Sequence, residues 1–152
     1  MPVTVPPFIL PSGVTGFSGQ KPHDLFKGLK ALSHEVARSV HGAITGSAAD
    51  DLVGRNFHSF RLEGRGLRVV ILLNAFHPLV GFAETEAHEP IFADIPDSFH
   101  GQNRGAFTFL GKEILTSPPD HASVRELAST EMEQMGYWRP RRLGDIIFNH
   151  WD

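Results

Sequence analysis

Nine histidines and not one cysteine make imidazole, not thiolate, the chemistry to look for first in this chain. Neutral imidazole is a common metal ligand and titrates near physiological pH. His77, His88 and His100 fall in or beside predicted turns, near Glu84, Glu86, Glu89, Asp94 and Asp97. Two such histidines and one carboxylate would suit an iron or zinc centre. Metal-binding motifs repeat their ligands at short fixed intervals, and neither a His-x-x-x-His nor a His-x-Asp spacing involves His77, His88 or His100. The spacing therefore predicts exposed turn residues, with no metal and no other cofactor. His34 and His41 are seven residues apart and share a helical face with Lys27, Lys30 and Arg38, opposite an apolar stripe. That face reads as a solvated basic surface.

Nucleophilic chemistry has as little support. Serine, histidine and aspartate are present, but a Gly-x-Ser-x-Gly elbow is missing. Gly64 and Gly66, and the stretch from Gly101 to Gly105, match neither the dinucleotide fingerprint nor the phosphate-loop pattern. They are better explained as turn residues. On these grounds the chain leans away from being an enzyme.

Recognition is better represented. Tyr137, Trp138, Arg139, Arg141 and Arg142 place two amphipathic aromatics beside three guanidinium groups within six residues. These residue types dominate interface hot spots, and arginine pairs in a fork with carboxylates. Glu84, Glu86 and Glu89, with Asp94 and Asp97, form an acidic counterpart able to steer a basic partner. The leading expectation is a non-enzymatic intracellular protein-binding domain of the inhibitor or immunity type, with an unidentified protein as partner. The alternative is a small enzyme or small-ligand binder with a pocket between a curved sheet and a helix, lined by His58, Arg61 and His150. A cavity holding at least two of those side chains would favour the alternative. Lys and Arg total 14 against 17 Asp and Glu, a net charge of −3, which argues against nucleic acid as the partner.

The elements that must position these groups follow from periodicity. A length of 152 residues suits a single domain over 1–152 that buries about 70% of its unfolded surface. Residues 1–20 carry four prolines and three glycines and should run as an extended or turn-like arm. From Pro22 to Ala43, Leu25, Leu29, Leu32, Val36 and Val40 trace a helical stripe that Gly46 would end. Phe57 to Leu62 and Leu67 to Leu73 read as a hairpin, and the unalternating run Val69–Leu73 as its central strand. Leu79–Ala83, the proline-bounded Pro90–Pro96 and Ala106–Leu110 supply further strands. Ser117-Pro118-Pro119-Asp120 should open a second helix with an inward stripe of Val124, Leu127, Ala128, Met132 and Met135, stopped by Gly136. The last nine residues, rich in Ile, Phe and Trp, read as a final core strand. The predicted fold is α+β, an antiparallel meander of about five or six strands with two helices packed on the sheet. The proline-broken start and the shortness of the apolar runs predict a soluble cytoplasmic chain with no membrane contact.

Overall fold

The computed structural model describes residues 8–47, 52, 54–85, 89–100 and 106–151. In chain order it holds α1 (Phe26–Ser39), β1 (Ala43–Ser47), β2 (Phe57–Gly64), β3 (Leu67–Asn74), β4 (Leu79–Ala83) and β5 (Phe92–Ala93). A 3-10 turn (Asp97–Phe99) and β6 (Thr108–Phe109) follow, then α2 (Lys112–Thr116), α3 (His121–Val124), α4 (Ser129–Trp138) and α5 (Leu143–Ile147). Strands β1 to β5 pair antiparallel in sequence order, and β6 lies parallel to β4. The α+β meander expected from periodicity is the observed one. Among the described residues it carries five helices, of which α1 and α4 are the long ones.

Strands β2 and β3 close a hairpin in which Phe60 faces Ile71 and Leu62 faces Val69. Its turn is made by Arg65 and Gly66, the latter at a φ of 69° that glycine adopts at little cost. Both faces of the sheet are covered. Leu29, Val36 and Ala37 of α1 pack with Phe60, Leu62, Ile71, Leu73, Val80 and Phe82 on one side. On the other, Val70 and Leu72 meet Leu115 of α2 and Leu143, Ile146 and Ile147 of α5. A strand buried on both faces needs no polar alternation, which is why Val69–Leu73 has none. The prolines flanking Ile91 to Ile95 leave only a two-residue β5 at the margin of β4.

Helix α1 ends earlier than expected, in a Schellman motif. The amide of Gly42 donates to Ala37 O (2.7 Å) and that of His41 to Arg38 O (3.3 Å), with His41 left-handed at φ 53°. The chain after it, expected as helix end and loop, is β1. His41 therefore lies outside α1 and does not share a helical face with His34. Gly42 is needed for a close approach, because a Cβ there would press into the Glu63 carbonyl oxygen and stand 2.7 Å from Gly64 Cα. These are backbone atoms that cannot swing aside, so Gly42→Ala should lower stability by about 2–3 kcal/mol, read as a reduced urea midpoint at unchanged slope. Ser33 shows the opposite case. Its hydroxyl is fully buried among the apolar residues of α1, without a hydrogen-bond partner among the described residues. Ser33→Ala removes that unsatisfied group and improves helix propensity, so it should raise stability by about 1 kcal/mol in the same experiment.

The C-terminal third departs most from expectation. Ser117 closes α2 instead of opening a helix. Asp120 is the true N-cap, accepting from the Ser123 amide at 2.8 Å while the Ser123 hydroxyl accepts from the Asp120 amide. Only the four residues of α3 follow before the chain breaks, restarts as α4 and runs through Gly136 to Trp138. The inward position of α4 is held by Glu131, with Met132 42% exposed. The predicted final strand is replaced by α5 and an irregular segment from Phe148 to Trp151. Leu143, Ile146 and Ile147 are spaced three and four apart, a helical period that apolar content alone does not reveal. Among the described residues, no helix is long and apolar enough to cross a membrane.

Candidate recognition site

A buried polar lattice fixes the parts of the chain that frame the site. The carboxylate of Glu131, 0% exposed, accepts from the amides of Gly13 (2.7 Å), Thr15 (3.0 Å) and Ala128 (3.1 Å) and from the Thr15 hydroxyl. Gly13 and Gly16 hold φ values of 94° and 89°, so the turn that aims these amides inward is a glycine turn. A carboxylate taken out of water needs such donors to offset its lost hydration. The described part of the segment expected to be an arm, residues 8–20, is thus turned and anchored, with Leu10 and Val14 fully buried.

Three asparagines extend the lattice to the other end of the chain. Asn74 Nδ2 donates to Val14 O (2.9 Å) and Ile147 O (2.7 Å), while its Oδ1 accepts from the amides of Phe76 and His77. Asn56 Nδ2 donates to Val14 O (2.8 Å), and its Oδ1 accepts from the Asn149 amide (2.7 Å). Asn149 in turn donates to Thr15 O and accepts from the Trp151 amide. Sheet, N-terminal turn and C-terminal segment are held by one set of bonds, and Trp151 is brought to the end of α4.

There Trp138 and Trp151 lie parallel, 1° between planes and 6.3 Å between ring centroids. Tyr137 meets Trp138 edge to face at 5.1 Å and is 77% exposed; Trp138 is 38% exposed. Phe17 backs Trp151 at 6.4 Å. Together with Arg139, Arg141, His150 and Glu89 the two tryptophans line an open cleft of about 700 Å³. Arg139 ends α4 in the left-handed region (φ 50°, ψ 60°), its amide donating to Met135 O. The side chains of Arg139 and Arg141 make no ion pair or hydrogen bond among the described residues. Arg142 differs: it forks onto Asp145 through Nε (3.0 Å) and Nη2 (2.6 Å), donates to Pro90 O and covers the Phe92 ring. The hydrogen bond to Asp145 raises its already high pKa further, against the opposing pull of burial.

Of the residues singled out from sequence, the structure thus brings Tyr137, Trp138, Arg139, Arg141 and Glu89 to one place and turns Arg142 inward as a structural tie. Glu84 sits in a separate cleft of about 320 Å³ with Arg61 and Arg68, and Glu86 lies outside the described residues. His58, Arg61 and His150 are not brought together. His58 packs its ring on Phe26 of α1 at 4.9 Å, Arg61 points to the opposite face of β2, and His150 lies edge-on to Phe57 in the tryptophan cleft. Residues three apart on a strand face opposite sides, which separates His58 from Arg61.

Of the turn histidines, His77 Nε2 hydrogen-bonds Ser12 O (2.7 Å) and His100 stands 4.0 Å from Asp97. His88 lies outside the described residues, and among those described no three metal-ligating side chains converge. Sequence reasoning missed Trp151 as a site residue, because its apolar setting suggested core. It also missed Glu131 and the three asparagines, whose only signal was position: Asn56 and Asn74 flank the hairpin strands where turn residues are ordinary. Comparison with family models, with curated proteins and with solved structures finds no match to this chain.

Proposed function

We propose that this chain is a non-enzymatic protein-binding domain acting in the cytoplasm, of the kind that inhibits or neutralises a partner by covering it. It does so with the face made by Tyr137, Trp138, Arg139, Arg141 and Trp151. The observation that carries this reading is the pair of aromatics left in water at the end of α4, beside two arginines whose side chains form no ion pair among the described residues. A few Trp, Tyr and Arg side chains supply most of the energy in protein interfaces, and here they are clustered on a rigid support. A photo-crosslinking amino acid in place of Tyr137 tests it in cells. A discrete protein adduct that Trp138→Ala abolishes, and that the same label at exposed Arg68 does not give, is the expected result. Equal adducts at both positions, or none at Tyr137, would contradict it.

The size of the cleft favours a second reading, since about 700 Å³ falls within the range of small-molecule sites. The ligand-binding alternative then belongs to the tryptophan cleft and not to the space between α1 and the sheet. Dialysis of purified protein against a metabolite extract, with bound compounds recovered by mass spectrometry, would show a single enriched species lost in Trp138→Ala.

A further inference from the structure

We infer that the partner presents an acidic, extended segment to this cleft, with carboxylates on Arg139 and Arg141 and an apolar side chain against Trp138 and Trp151. The inference rests on the protein-binding reading above and names the chemistry of the partner.

Three neighbouring arginines show the contrast that supports it. Arg142 has a carboxylate from its own chain and grips it with two prongs. Arg139 and Arg141 stand in the same cleft and have none among the described residues. Asp145 is neutralised by Arg142, so the carboxylate of Glu89 is what opposes them there. With Asp145 so paired, two arginines stand against one glutamate among the described residues of the cleft, on a chain of net charge −3, and this local balance favours an acidic segment here over elsewhere on the surface.

Arg139 adds an independent sign. The left-handed position ending a helix is usually glycine, and a side chain there costs about 1 kcal/mol. Among the described residues, the Arg139 side chain gains no hydrogen bond or ion pair in return for that strain, as binding residues often do. The Trp138–Trp151 pair adds a flat apolar platform next to the charges. Two arginines countered by a glutamate are too few phosphate contacts for firm nucleic-acid binding, which draws its affinity from many released counterions. A peptide with spaced carboxylates fits them better.

Both tryptophans of the chain are in this cleft, so intrinsic fluorescence reports it alone. Random twelve-residue peptides displayed on phage and selected on the full chain should become enriched in Asp and Glu beside one Leu, Phe or Trp. The leading peptide should change the fluorescence saturably and bind more tightly at low salt. Arg141→Ala should weaken it about 10-fold. Arg139→Gly should weaken it comparably while raising the melting temperature, a combination that a misfolded variant does not give; Arg68→Ala should leave affinity unchanged. Enrichment of basic peptides, no enrichment over the Arg139→Ala/Arg141→Ala double variant, or saturation by oligo(dT) but not by acidic peptides would overturn the inference. If the selection fails while Tyr137 still crosslinks a protein, the acidic segment is wrong and the protein-binding reading stands. Failure of both removes both.

Discussion

Glu131→Ala should lower stability by about 3–5 kcal/mol, because it removes the shared acceptor of the Gly13, Thr15 and Ala128 amides and the Thr15 hydroxyl. At about 2–4 °C per kcal/mol for a chain of this size, the melting temperature should fall by roughly 6–20 °C. Circular dichroism on heating measures it. Glu131→Gln keeps the shape but turns one oxygen into a donor that faces other donors, so it should recover less than half of the loss. A Glu131→Ala protein that melts within 2 °C of the parent would show that the N-terminal turn is held by its apolar contacts alone. The magnitude distinguishes this carboxylate from a surface one, where removal changes stability by under about 1 kcal/mol.

The second large effect is expected at Asn74, which uses both ends of its amide: the nitrogen on Val14 O and Ile147 O, the oxygen on the amides of Phe76 and His77. Asn74→Ala leaves these buried groups without partners and should cost about 2–4 kcal/mol, measured by urea denaturation. Asn74→Asp keeps the acceptor and loses the donors, setting a carboxylate against two carbonyl oxygens. It should be destabilised at least as much. Because the lattice positions Trp151, both variants should also alter tryptophan fluorescence before global unfolding, whereas Gly42→Ala, at the far end of α1, should not. Coincident transitions in all three would argue that the C-terminal segment does not depend on this lattice.

What could be read from the sequence follows from which forces are local. The hairpin of β2 and β3 announces itself through strand-length apolar runs around Gly66, and Val69–Leu73 through its lack of alternation. Leu79–Ala83 was legible for the same reason. The C-terminal third was not, because its organiser is a charged residue. Glu131 reads as surface by type, yet it is the residue that α4 turns inward, and apart from Ala128 its partners, Thr15 and Gly13, lie 116 and 118 positions away. The apolar periodicity of α4 therefore marks a stripe, Met132 included, that faces water in part. The left-handed residue that ends α1 is His41 and not a glycine, because histidine tolerates that region better than most side chains.

For the site, residue type was informative and distance was not. Tyr137, Trp138, Arg139 and Arg141 could be chosen because aromatic and guanidinium groups lay within a few residues of one another. That Arg142 would be consumed by Asp145 follows from an i,i+3 spacing which becomes visible once α5 is known to be a helix. The contribution of Trp151 depends on Asn149, Asn56 and the turn at Thr15, a chain of contacts that joins both ends of the sequence.

Native-state amide exchange at Gly13, Thr15 and Asn149 tests most directly whether this lattice holds the two chain ends in place. These amides lie outside every helix and strand, yet they are buried on Glu131 and Asn56. They should exchange only through global unfolding, at the slow rate of the Ile71 amide in the centre of the sheet. Exchange orders of magnitude faster than Ile71 would mean that the ends open locally, and the support attributed to Trp151 and its cleft would be lost.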